Sequence, residues 1–105
     1  MKFYLRNRKK AFDAVAEYDA SKKTFIVLKG SRVSDTISNS PSFRGKKTIF
    51  KFRDEYVQNG VDVFRDVVFK SPSTAANFVT GTSTNGCIAW KDEAGHTFKE
   101  VFGGD

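Results

Sequence analysis

The residues able to do chemistry in this chain are few, and most are basic or hydroxylic. Lys70-Ser71-Pro72-Ser73-Thr74 places one lysine and three hydroxyls around a helix start. Free N–H groups and the positive end of a helix dipole make such a start a seat for an anion such as a phosphate. Two basic sets suit the same ligand. The denser comprises Lys2, Arg6, Arg8, Lys9 and Lys10, and the other Arg44, Lys46, Lys47, Lys51 and Arg53. Capping alone accounts for Ser71-Pro72, and less well for Ser73. Asn85 adds an amide. Trp90 is an aromatic face on which a base could stack, but its place beside Ile88 on one strand face favours a core anchor.

Catalytic chemistry finds little to work with. The one histidine, His96, falls in a turn beside Gly95. Cys87 follows Asn85-Gly86 and reads as a small apolar residue rather than a nucleophile. The adjacent pairs Asp54-Glu55 and Asp92-Glu93 point apart on any regular element, so they read as solvated charge. No phosphate-cradling glycine loop and no cluster of metal ligands is present in the sequence. No catalytic residue, metal or cofactor is therefore expected.

The elements that must position these residues read as follows. Phe3-Tyr4-Leu5 forms a first strand leading into the basic loop of residues 6–10. Phe12, Ala14, Ala16 and Tyr18 alternate with Asp13, Val15 and Glu17 in a half-buried strand, and residues 24–28 return as its hairpin partner. Alanines in the first arm leave room for a bulky neighbour, a helix. Residues 30–42, rich in Ser, Thr, Asn and Pro, form a loop. Ile49, Phe52, Tyr56 and Val57 mark a helix over residues 43–59, with Asn59-Gly60 as its stop and Lys47, Lys51 and Arg53 mostly outside the apolar stripe. A strand begins at residues 61–64, and residues 66–69 finish it or form its partner after a bend at Arg65-Asp66. Ser71 then caps a short helix over residues 72–80 that Gly81 ends. Asn85-Gly86 marks a tight turn, Ile88 to Lys91 a strand, and residues 96–101 its return. Strands interleaved with two helices indicate an α+β fold, an antiparallel sheet with one long and one short helix packed on it.

Composition bounds the rest. A chain of 105 residues with eleven phenylalanines builds one modest core. Its longest apolar run, Phe25-Ile26-Val27-Leu28, is far too short to span a bilayer. One cysteine cannot form an internal disulfide, which suits a reducing cytoplasm. The net charge of +6 is unevenly placed. Residues 1–53 hold 14 Lys and Arg against four Asp and Glu, a balance of +10, and residues 54–105 hold four against eight, a balance of −4. Such asymmetry is the footprint of a polyanionic partner, or of a basic surface that serves solubility.

The stretch from Phe69 to Lys91 carries a resemblance. An aromatic residue precedes Ser71-Pro72-Ser73, then come Ala75-Ala76, a short apolar helix, Gly81, Ser83, Asn85-Gly86, Ile88 and Trp90-Lys91. This pattern resembles the domain of unknown function 4357 family, a small bacterial and archaeal accessory domain. Phe3-Tyr4-Leu5 and Val27-Leu28-Lys29-Gly30-Ser31 are similar to that family's first half, so the match spans nearly the whole chain. The pattern is also similar to the RAMA (restriction system adenine methylase-associated) domain. Where relatives usually carry a larger, often aromatic residue, this chain has Cys87. The resemblance implies an accessory role C-terminal to GIY-YIG nuclease-type domains, or in restriction–modification proteins, and contact with nucleic acid, modified bases included.

The resulting expectation is a single non-catalytic accessory domain that binds nucleic acid, with DNA the favoured ligand and a nuclease or methyltransferase domain as its companion. Met1 opens almost directly on a strand, which leaves room for a longer native chain. The expected contacts are Arg6, Arg8, Lys9, Lys10, Arg44, Lys46, Lys47, Lys51, Lys70, Ser71, Ser73 and Asn85. A protein-interaction module docking on a catalytic domain, without touching nucleic acid, is the rival reading, and an enzyme a third.

Overall fold

Alternation of apolar and polar residues builds the sheet. The computed structural model describes residues 1–7, 9 and 12–103. Strand β1 (Lys2–Asn7) pairs antiparallel with β2 (Phe12–Asp19), Phe3 opposite Ala16 and Tyr4 opposite Val15. A turn follows in which the Asp19 carboxylate accepts from the Ser21 hydroxyl at 2.6 Å and from the Ser21 amide at 3.0 Å. Strand β3 (Thr24–Val27) then pairs with β2, and the later β6 (Val67–Phe69) with β3, for a sheet order β1-β2-β3-β6. One face of this sheet is buried: Phe3 and Leu5, Ala14 and Ala16, Phe25 and Val27, Val67 and Phe69.

Helix α1 (Lys46–Tyr56) is shorter than the expected span of residues 43–59. Val57 is already extended and pairs with Val63, so that β4 (Val57–Gln58) and β5 (Asp62–Val63) form a small hairpin. Asn59 and Gly60, both at positive φ, turn that hairpin instead of capping the helix. The reason is local. A β-branched residue beyond Tyr56 finds a partner strand, and two left-handed positions suit a tight reversal.

Helix α2 (Pro72–Thr80) forms as its sequence demands. Ser71 is the N-cap, its hydroxyl accepting from the Thr74 amide at 3.1 Å, Pro72 takes the first helical position, and Gly81 closes the helix at φ 75. Ala75, Ala76, Phe78 and Val79 are all buried, and α2 lies across β2, β3 and β6. The alanines of β2 make room for this helix.

Two expected strands are helices instead. Residues 86–89 form α3 (Gly86–Ala89) and residues 98–102 form α4 (Phe98–Phe102). Asn85 starts α3 as its N-cap rather than making a hairpin turn, accepting from the Cys87 amide at 3.1 Å. Strand-like pairing survives at Lys91 alone, in two contacts, the first an antiparallel bridge to Thr97 in the expected return. Lys91 exchanges backbone hydrogen bonds with Tyr4, at 2.7 and 3.1 Å, along the outer edge of β1. Thr97 caps α4, and Glu100 reaches back to the Thr97 amide, a reciprocal capping box. Trp90, fully buried, packs on Phe25 with ring centres 4.9 Å apart, and Phe98 packs against Phe3, Tyr18 and Phe25.

Candidate nucleic-acid interface

The sequence-predicted contacts fall in four places. At the start of α2, Lys70 is exposed, but the hydroxyls beside it serve the fold. Ser71 Oγ accepts from Thr74 N and donates to Thr74 Oγ1 at 2.9 Å, and Ser73 Oγ accepts from Gly86 N at 3.0 Å. Trp90 Nε1 donates to the Pro72 carbonyl at 3.0 Å. A Cβ on Gly86 would stand 2.1 Å from that carbonyl oxygen and 2.5 Å from Ser73 N, so only glycine lets α3 lie against the start of α2. These contacts supply the reason for Ser73 that capping lacked. The Asn85 side-chain oxygen is likewise used, in the α3 cap.

The second place is the start of α1, where Arg44, Lys46 and Lys47 gather, with Lys51 one turn on from Lys47. Gly45 at the N-cap supplies no side-chain hydrogen bond, and the first turn contains no acidic residue. Cations at a helix N-terminus oppose its dipole, at a cost of about 0.3–1 kcal/mol each. None of the four forms an ion pair among the described residues. Lys47, Lys51 and Phe50 project on the exposed side, and Asp54 and Glu55 follow them there.

Lys9 marks the third place. It is exposed and lines a cleft of about 590 Å³ with Ser34, Ser38, Thr80, Gly81 and Thr82. Arg8 and Lys10 lie outside the described residues. The fourth is Arg6, on the sheet face turned away from α2. Its Nε donates to Asp13 Oδ1 at 2.9 Å, and its guanidinium lies 4.6 Å from the centre of the Tyr4 ring. The Tyr4 hydroxyl donates to Glu93 Oε1 at 3.1 Å. Desolvation, followed by that carboxylate, raises the Tyr4 pKa above its ordinary value.

Arg53 departs most from expectation. The sequence expectation places it mostly outside the apolar stripe, among the basic residues of α1, yet it is buried. Nε donates to the Phe78 carbonyl at 2.9 Å, Nη1 to the Ser34 carbonyl at 2.7 Å, and Nη2 to Ser34 Oγ at 3.1 Å and the Val79 carbonyl at 3.4 Å. The guanidinium thus answers the negative end of α2 and ties the 34–38 segment to it. Burial pushes its pKa down to about 10, which leaves it charged at neutral pH. Arg53 falls one position from Phe52 on a helix whose inner face it shares with Ile49, and that helical spacing was the one available signal.

His96 is exposed, its Nδ1 3.6 Å from Asp92 Oδ2, and Cys87 is a half-buried free thiol on α3. Among the described residues no group of three or more His, Cys, Asp or Glu is placed to hold a metal ion, and no helix is long and apolar enough to cross a membrane. Trp90 has no exposed face for a base to stack on.

No curated protein and no solved structure matches the chain. A family model described as "Domain of unknown function" matches it over residues 3–102, which takes in nearly all of the four-stranded sheet and α1 to α4. The chain therefore belongs to the domain of unknown function 4357 family.

Proposed function

We propose that this is a non-catalytic nucleic-acid-binding accessory domain, with DNA the favoured ligand, acting beside a nuclease or methyltransferase domain of the GIY-YIG or restriction–modification kind. The observation that carries the reading is the start of α1. Arg44, Lys46 and Lys47 surround a helix N-terminus that has neither an acid nor a side-chain cap. Three cations there work against the helix, and a phosphate would reverse the balance by meeting both the cations and the free N–H groups. Lys9, Lys51 and Lys70, exposed and without ion pairs among the described residues, extend the same potential. Ser71, Ser73 and Asn85 have their oxygens engaged within the fold, so the α2 start contributes mainly through Lys70.

Binding of labelled duplex and single-stranded DNA over a salt series tests this. Affinity falls steeply with salt, and reversing Lys46 and Lys47 to Glu weakens binding and flattens the salt slope by about one unit per lost phosphate contact. Absence of binding at the lowest salt overturns the reading. The rival, a protein-docking module, draws on exposed Ile88 of α3 and on Val101 and Phe102 of α4, two helices packed on one another. Under that reading DNA does not bind, and Phe102→Ser releases the partner domain.

A further inference from the structure

The four-stranded sheet has a second face. Helix α2 covers one side, and the side chains of the other are half-buried or exposed: Lys2, Tyr4 and Arg6 on β1, Asp13, Val15 and Glu17 on β2, Ile26 on β3, Val68 on β6. The chain beyond β3 prolongs this face. Leu28 N donates to Val15 O at 2.9 Å, and Arg32 pairs with Asp13 through hydrogen bonds of 2.8 and 2.9 Å. Lys2, Arg6, Asp13, Val15 and residues 28–32 line a shallow depression of about 510 Å³. Val15 and Leu28 are its floor. Lys2 and Arg6 stand along one rim, Lys29 and Arg32 along the other.

The depression is basic where it is lined. Four cations face one carboxylate, Asp13, which is itself bonded to Arg6. The other acids nearby stand outside the lining. Glu17 meets the Met1 amine, Asp66 accepts from the Lys29 amide at 2.8 Å, and Asp62 lies across from Arg32 on β5. The two rims are two strand spacings apart, roughly 10 Å. Tyr4 lies next to the depression, opposite Val15, its ring held under the Arg6 guanidinium and its hydroxyl bonded to Glu93.

Paired cations along both edges of an apolar strip suit a strand that crosses it, with phosphates on either rim and a base laid on the floor between them. A duplex hides its base faces and has no use for such a floor, whereas an unpaired strand offers a base face to every apolar or aromatic residue it crosses. We propose that the open sheet face binds single-stranded nucleic acid, its bases over Val15, Leu28 and Tyr4 and its phosphates on Lys2, Lys29 and Arg32. This rests on the nucleic-acid reading above and adds to it a surface and a strand preference that the α1 start does not supply.

The test compares a dye-labelled oligothymidylate of about 12 nucleotides with a duplex of the same length, by fluorescence anisotropy at low salt. The protein binds the single strand more tightly. Lys29→Glu with Arg32→Glu weakens single-strand binding about tenfold or more and abolishes the preference over duplex, and the milder Lys29→Gln with Arg32→Gln does the same to a lesser degree. Tyr4→Leu reduces the preference and leaves the salt slope unchanged. Lys46→Glu with Lys47→Glu weakens both ligands in parallel and keeps the preference. Circular dichroism and thermal melts confirm that each variant folds. Equal or tighter duplex binding, or a preference untouched by the Lys29 and Arg32 changes, overturns this proposal and leaves the general one standing. Polyglutamate bound as tightly as the oligonucleotide overturns it as well, by reducing the face to a generic polyanion surface. No binding to either nucleic acid overturns both.

Discussion

Arg53 is the residue on which the helical half of the molecule turns. A buried charge is costly, and here carbonyl oxygens at the end of α2, the Ser34 hydroxyl and the charge of nearby Asp35 compensate it. Arg53→Met should lower the unfolding free energy by about 2–4 kcal/mol, because the Phe78 and Ser34 carbonyls lose a charged donor where water does not replace it. Arg53→Lys should recover less than half of this, since an ammonium cannot reach all four oxygens that the planar guanidinium spans. Denaturant midpoints at constant slope measure both. Trp90 gives a second residue-scale expectation. With its ring inaccessible and its Nε1 bonded to the Pro72 carbonyl, its emission should be blue-shifted and poorly quenched by acrylamide. Saturating nucleic acid should leave that emission unchanged. Strong quenching on binding would return Trp90 to the interface.

Among the elements, α3 and α4 depend on caps and on partners, because four and five residues are too few to hold a helix alone. The Thr97–Glu100 capping box therefore carries more weight than a cap on a long helix would. Hydrogen bonding from the Thr97 amide holds the Glu100 carboxyl below its usual 4.5, and the Ser21 hydroxyl first, then the Lys22 amide, hold Asp19 below its usual 3.8. A carboxylate with a lowered folded-state pKa adds stability that is present above its unfolded value and is lost as the pH falls through the folded one. Stability should thus decline on acidification below about pH 4.5. Glu100→Gln keeps an acceptor for the Thr97 amide while removing the titration, so it should flatten part of that decline. Thermal melts across the acid range, and amide exchange within α4, provide the measurement. An unchanged acid profile in the variant would show that Glu100 takes no part.

Over the whole molecule, the +10 and −4 halves do not become two separate poles. Lys47 and Lys51 share the outer side of α1 with Asp54 and Glu55, and the basic depression on the sheet has Asp62 and Asp66 just beyond its rim. These acids temper the field that a polyanion would meet. Replacing Asp54 and Glu55 by Asn and Gln, both exposed and away from the core, should tighten nucleic-acid binding by about two- to fivefold at low salt, with the gain fading as salt rises. Titrations of the double variant at two salt concentrations check this. No gain at low salt would place the binding surface away from α1.

Much of the architecture was legible in the chain because short-range chemistry dictates it. Ser71, Pro72 and Gly81 specify α2 at three positions within eleven residues, and the alternation in Phe12, Ala14, Ala16 and Tyr18 sets both the strand and its buried face. The Thr97–Glu100 box is absent from the sequence reading, and it outweighs the apolar spacing that suggests a strand after His96. The remainder was decided by partners far away in sequence. Residues 86–90 could continue as strand or helix, and the choice falls to the Pro72 carbonyl, which admits only Gly86 against it and takes the Trp90 N–H. Ser73 and Arg53 look like ligands for an anion until α3 and the end of α2 arrive beside them. The basic composition was determined by sequence alone. Which cations are spent on folding, and which remain free on the α1 start and the open sheet face, only the tertiary structure decided, because charge is a property of residues while its compensation is a property of what packs against them.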